Sequence, residues 1–284
     1  MHRKETKEEL ENHELAQLIL EYDERFNHIL GYRRMTRWIN ALNCKHYNRK
    51  RVRRLMKLLG VKSVIRRRRS KYKSTTPEIS AENVLSRDFN ATRPNEKWVT
   101  DVTEFKYGPK NEHKLYLSAI LDLYDRSIVS YVLSSTNNNI LVFDTFKKAV
   151  VANPDAHPLF HSDGGYQYTS PAFIKMLKDQ GMVQSMSRVH CCIDNGPMEG
   201  FWSFLKCGMY HYDKHYNTKE ELIDAIDSWM HYYMYERYQR RFGVRTPMEV
   251  RTEALTTQTP KQYPIPLNKA IIKYKQTHYA SLAA

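Results

Sequence analysis

Apolar positions near the front of the chain come at helical spacing. Val52, Leu55, Met56 and Leu59 stand at i, i+3, i+4 and i+7. The spacing predicts a helix over residues 48–59 that buries one stripe and turns its Arg and Lys outward, with Asn48 placed to cap it and Gly60 to end it. Residues 31–42 read as a second helix just before it. Further on the pattern turns β-rich: residues 97–107, 114–123 and 127–135 are β-branched, aromatic and apolar runs separated by turn-like segments, which predicts an antiparallel meander. A helix over 139–151 follows, its stripe approximated by Ile140, Phe143, Phe146, Lys147 and Val150. Next come a strand over 157–161 ended by Gly164 and Gly165, a helix over 170–180 and a strand over 182–187. Residues 218–238 read as one long helix, with Thr218 and Glu221 as a capping box and Leu222, Ile226, Trp229, Met230 and Tyr233 as the buried stripe. The aperiodic stretch 66–95, with Ser74, Thr75, Thr76 and Pro77 and later Arg93 and Pro94, reads as a linker. The expected fold class is α/β: a mixed sheet of three antiparallel strands plus two further strands, flanked by helices, behind an N-terminal helical region.

Charge sharpens this picture. The 284 residues carry 45 Lys and Arg against 31 Asp and Glu, a net +14. Such a balance favours polyphosphate partners. The excess is concentrated: from Arg33 to Lys73 no acidic residue interrupts the basic ones, among them Arg49, Lys50, Arg53, Arg54, Lys57 and the run Arg66, Arg67, Arg68, Arg69. The two helices here fit either a helix-turn-helix whose second helix enters a major groove or a solvated basic hairpin. No run approaches the roughly 20 apolar residues that cross a bilayer, and the first ten residues are charged, so no membrane association is expected and the compartment is the cytoplasm. Four cysteines make no disulfide framework, in keeping with a reducing compartment. In the cluster His190, Cys191, Cys192 and Cys207 the adjacent cysteines lack the ligand spacing of a zinc site, and the cysteines read as packing or incidental thiols.

Three acids stand where chemistry needs them. Asp101 lies inside a strand-like run, where a carboxyl is out of place unless it is paired or binds a cation. Asp163 closes a strand ahead of Gly164 and Gly165. Glu199 follows Pro197, which suits a first helical position, so the helix dipole favours its ionised form. Taken singly, each acid also fits a turn or a helix cap.

Together the three segments resemble successive blocks of a known family. These are Trp98-Val99-Thr100-Asp101-Val102-Thr103-Glu104, the run from Tyr116 to Arg126 that includes Asp122 and Asp125, and His161-Ser162-Asp163-Gly164-Gly165-Tyr166-Gln167-Tyr168. The likeness is to the DDE transposases, specifically the OrfB-type proteins of the IS-three family, relatives of retroviral integrases. Thirty-five residues lie between Asp163 and Glu199, the family spacing, and Lys206 follows seven residues later where the family carries a basic residue. The likeness runs from about residue 31 to 251. Departures fall at Arg188 to Ile193, at Gly196 and Gly200 where Ala and Ser are expected, and at Tyr235 and Glu236.

The resemblance implies an RNase-H-like catalytic fold with Asp101, Asp163 and Glu199 as catalytic residues and metal ligands. It implies two Mg2+ ions, with Mn2+ as a substitute, and Lys206 among the DNA contacts. The implied reaction is cleavage at transposon ends followed by 3′-hydroxyl strand transfer; the alternatives are a catalytically silent DNA-binding regulator descended from a transposase, or an RNase-H-type nuclease. Implied partners are terminal inverted repeats, target DNA, further copies of the chain and an upstream-frame partner or fusion. The implied place is the bacterial cytoplasm, on the nucleoid. The expected domains are a helix-turn-helix-like basic region over 1–70, a linker over 71–94, the catalytic core over 95–255 and a tail over 256–284.

Overall fold

The computed structural model describes residues 6–64, 81–188, 191–210 and 214–265. They form two compact units. The first contains helices α1 (Lys7–Arg25), α2 (Tyr32–Leu42) and α3 (Arg49–Leu58). Helix α1 answers to no predicted element. Its start carries a capping box, Thr6 with Glu9, and its buried side chains Leu15, Ile19 and Tyr22 keep helical spacing under a dense cover of charge. The two predicted helices are present, α3 capped by the Asn48 side chain on the Lys50 N–H at 2.9 Å. Val52, Leu55 and Met56 are buried as expected, but Leu59, the C-cap residue just past the last helical one, is exposed. Gly60 takes the left-handed conformation (φ 73°) that lets the chain leave. Trp38 of α2 packs on Phe26 at 4.3 Å and Tyr22 at 6.2 Å.

The second unit holds a five-stranded sheet in the order β3-β2-β1-β4-β5, formed by β1 (Lys97–Tyr107), β2 (His113–Asp122), β3 (Ile128–Ser134), β4 (Leu159–Ser162) and β5 (Val183–Met186). The first three pair antiparallel, while β4 joins β1 and β5 joins β4 in parallel, as a mixed sheet requires. Helix α4 (Asn139–Ala152) makes the crossover between β3 and β4, and α5 (Tyr166–Thr169) and α6 (Pro171–Asp179) make the one between β4 and β5. The buried residues of α4 are Leu141, Val142, Thr145, Phe146 and Ala149; of the predicted stripe Phe146 is buried and Phe143 and Val150 pack at the edge of the core, while Ile140 stays 63% exposed. Two adjacent stripes of this helix are apolar and share Phe146, which stands edge-on against Phe160 and Phe173; the sheet takes the one that also buries Val142 and Ala149.

Helices α7 (Gly196–Met209), α8 (Lys219–His231) and α9 (Pro247–Thr256) complete the fold. Helix α8 has the predicted capping box but not the predicted length: at Tyr232–Glu236 the backbone widens into a π-helical turn. Helix α9 locks the sheet. Its Arg251 is buried and donates to Asp122 (3.1 Å) and Asp125 (3.0 Å) at the end of β2, and to Asn95 (2.6 Å) and Asn153 (2.8 Å). Burial and the nearby Asp125 push the Asp122 carboxyl up to about 7 against the pull of Arg251. The acids of the middle sequence block are therefore structural. Among the described residues no helix is long and apolar enough to cross a membrane.

Candidate active site

Strand pairing brings two of the acids together. The last parallel rung of β1 with β4 is Val99 opposite His161. Two residues beyond it on each strand come Asp101 and Asp163, so they leave neighbouring strands on the same side. Both are half-buried. Burial first and the charge of Asp163 second, with a smaller push from Glu199, raise the Asp101 carboxyl to about 8 against the hydrogen bonds from Val102 and Trp202. Asp163 is raised too, chiefly by burial, against the N–H of Gly165 at 3.0 Å on its Oδ1. A Cβ at Gly165 would stand 3.0 Å from that same oxygen, so the close approach needs glycine.

The third acid sits on a helix anchored at its start. Asp194, buried just before α7, accepts from Arg87 (2.6 Å), Arg188 (2.7 and 2.8 Å) and Asn83 (2.8 Å). Burial alone would raise its carboxyl, but the two guanidiniums hold it below the usual range. Asn195 donates to the Thr100 carbonyl at 3.0 Å, tying the start of α7 to β1 next to Asp101. Glu199 falls in the first turn of α7 and is exposed. Its charge is felt at Asp101, yet among the described residues no three carboxyl, imidazole or thiol groups form a complete metal-binding set. Two of the predicted acids thus stand on neighbouring strands, and the third, on α7, acts on Asp101 through its charge.

The remaining predicted residues lie elsewhere. Lys206 is half-buried on α7, seven residues after Glu199. Arg49, Lys50, Arg53, Arg54 and Lys57 are exposed on α3. Arg51 is not among them: it donates to Asn12 (2.8 Å), Glu11 (3.1 Å) and the Glu8 carbonyl (3.3 Å) and joins α3 to α1. Arg66, Arg67, Arg68 and Arg69 fall outside the described residues, as does the predicted linker as far as residue 80; its later part is packed, with Leu85, Phe89 and Ala91 buried and the Leu85 N–H donating to Ser185 at 3.0 Å. His161, inside the third motif, is buried between Ser185 and Ser187, and burial pulls its imidazole down to about 4, so it packs as a neutral ring.

Sequence reasoning missed Trp202. Its indole Nε1 donates to Asp101 Oδ2 at 2.9 Å, and Val102 N–H donates to Oδ1 at 2.8 Å. The available signal was its spacing, one helical turn after Glu199.

Known proteins share this arrangement. The integrase core domain family matches residues 91–192, and the HTH-like domain family matches residues 9–69. An uncharacterized transposase-like protein of Haemophilus influenzae is 41% identical over 210 residues, covering 73% of this chain and 94% of that one. The putative transposase InsK for insertion sequence element IS150, from Escherichia coli K12, is 42% identical over 229 residues, covering 78% and 77%. In fold the chain is similar to a chain of the simian T-cell lymphotropic virus intasome in complex with PP2A regulatory subunit B56 gamma, with a TM-score of 0.50 at 16% identity over 81% of this chain and 76% of that one. The antiparallel meander continued by two parallel strands is the RNase-H-like arrangement of integrase cores. With an HTH-like region ahead of an integrase core, and identity above 40% over most of two such relatives, the chain belongs to the insertion-sequence transposases of the IS-three family.

Proposed function

We propose that the chain is a DNA transposase that cuts at the ends of its element and joins the freed 3′ ends to target DNA, with Asp101, Asp163 and Glu199 as its catalytic acids. The observation that carries this is the placement of Asp101 and Asp163 just beyond the last paired rung of neighbouring strands, where burial raises both carboxyls and the charge of Asp163 raises Asp101 further. Their named partners are neutral N–H donors from Val102, Trp202 and Gly165. Hard oxygen donors with unspent negative charge fit Mg2+, or Mn2+ in its place. Asp101 and Asp163 would hold such ions with Glu199, which stands exposed in the first turn of α7 and whose charge already acts on Asp101. Bound there, two ions would supply charge neutralisation at the attacking and leaving oxygens.

The protein's own groups then have defined tasks. Asp101 and Asp163 would act as ligands in their ionised forms, and Gly165 and Trp202 keep the two carboxyls oriented. A water oxygen attacks the phosphorus at the element's end, the P–O3′ bond breaks and a 3′ hydroxyl is released. That hydroxyl attacks a second phosphodiester and displaces its 3′ oxygen. The exposed basic face of α3 and Lys206 would bind the DNA backbone, the basic residues over 1–70 forming the DNA-binding region and 95–255 the catalytic one. Copies of the chain would pair the two ends.

The test is Mg2+-dependent cleavage and joining of labelled DNA bearing the terminal repeats. Wild type is expected to cut and join, while Glu199→Gln binds with unchanged affinity and does neither. A wild-type chain that only binds, with any upstream-frame partner supplied, would establish a DNA-binding regulator instead, and cutting without joining would establish a nuclease.

A further inference from the structure

Asp101 is gripped at both oxygens, and the two grips come from different elements. Val102 N–H, on the same strand, reaches Oδ1 at 2.8 Å; the Trp202 indole, on α7, reaches Oδ2 at 2.9 Å. Trp202 is 7% exposed. Its ring lies 5.1 Å from Phe201, which packs in turn on Trp229 and Tyr233 at 5.7 and 4.9 Å. This aromatic stack fixes where the indole can point. A phenyl ring would fill much of the same space, so packing alone does not call for an N–H here; a buried N–H, in contrast, does call for an acceptor. The acceptor it finds is the one strand carboxyl that the mechanism uses.

We propose that Trp202 is a positioning residue for cation binding: its N–H sets the plane of the Asp101 carboxyl and ties the turn of α7 that carries Glu199 to strand β1. The inference rests on the reading of the three acids as cation ligands. An ionised carboxylate offers about four acceptor sites on its two oxygens, so one hydrogen bond at each oxygen leaves acceptor sites to spare at both. The carboxyl therefore does not need to rotate when an ion arrives, and the cost of ordering it is met during folding. A bound cation would draw charge from Oδ2 and weaken the Trp202 hydrogen bond, so the indole N–H is also a built-in reporter of occupancy.

The test uses the full chain on DNA carrying the terminal repeats, labelled with 15N at the indole nitrogens and titrated with Mg2+. The resonance absent from Trp202→Phe is expected to move on titration while those of Trp38 and Trp98 stay in place. Calorimetry should show Mg2+ binding to Trp202→Phe weakened about tenfold, the scale of lost outer-sphere partners, with the circular dichroism spectrum unchanged. If Trp202→Phe binds Mg2+ as tightly as wild type while Asp101→Asn abolishes binding, the positioning role is overturned and the metal reading stands. If wild type takes up no Mg2+, both fall together. Should Trp202→Phe fail to fold, the resonance displaced by Asp101→Asn identifies the indole, and a wild-type signal indifferent to Mg2+ overturns the proposal.

Discussion

Replacing Asp163 by Asn should make the metal-free protein more stable while abolishing its chemistry. Asn keeps an oxygen for the Gly165 N–H, so the hydrogen bond at 3.0 Å survives and only the charge is removed. In the folded chain Asp101 is raised from 3.8 to about 8, by burial first and Asp163 second. Two like charges about 5.5 Å apart on neighbouring strands, at an effective dielectric of roughly 20–40, repel by about 1.5–3 kcal/mol, and removing one is worth that much. The gain depends on pH in a defined direction. A carboxyl raised on folding binds a proton that the unfolded chain has already released, so wild-type stability is full near pH 4 and falls as pH rises to about 8. The advantage of the variant should therefore be small at pH 5 and full at pH 8.5. There it corresponds to a melting midpoint higher by roughly 4–10 °C. Thermal denaturation in EDTA from pH 5 to 9 measures it. Equal midpoints at pH 8.5, or a difference that does not narrow toward pH 5, would refute the coupling of the two acids. Added Mg2+ should reverse the order by stabilising wild type alone.

Gly200 lies inside α7 with open space where a Cβ would stand, so Gly200→Ala should stabilise the protein by about 0.5–1 kcal/mol in urea denaturation; a loss of stability would show that this helix needs its glycine. Arg251→Met would strand the buried Asp122 and Asp125, and a loss of about 3–5 kcal/mol is expected by the same assay. A change under 1 kcal/mol would mean that the two acids reach solvent. Arg53→Ala with Lys57→Ala should weaken DNA binding equally for specific and random sequence and lower the salt slope of log Kd by about 0.9 for each phosphate no longer neutralised. An unchanged slope would move the DNA interface off α3.

What the sequence made legible was periodicity and spacing. Strand alternation and the Gly164-Gly165 break were enough for the mixed sheet, and the order and spacing of the motifs were enough for the family. Helix α1 was not legible because charges crowd its narrow apolar stripe, although Thr6 and Glu9 marked its start. The α4 register was ambiguous because two adjacent stripes are apolar and only the sheet chooses between them. The π-helical turn after His231 has no signature in a stripe that is still helical at Tyr233. Around the acids, the missing information was long-range: the grip of Trp202 on Asp101 spans 101 residues and that of Asn195 on Thr100 spans 95. Asp122 and Asp125 were part of the resemblance, yet nothing local distinguishes an acid that awaits a buried arginine from one that awaits a cation.

The Arg251 clamp also sets a timetable for synthesis. It reaches back 129 residues to Asp122 and 126 to Asp125. At about 5–20 residues per second, a ribosome takes roughly 6–25 s to cover that distance, and for that time two acids destined for burial have no counter-ion. The hydrogen bonds that join α3 to α1 close over only 39 to 43 residues. A nascent chain therefore assembles its basic helices early and its sheet late, so the HTH-like region is complete before the integrase core.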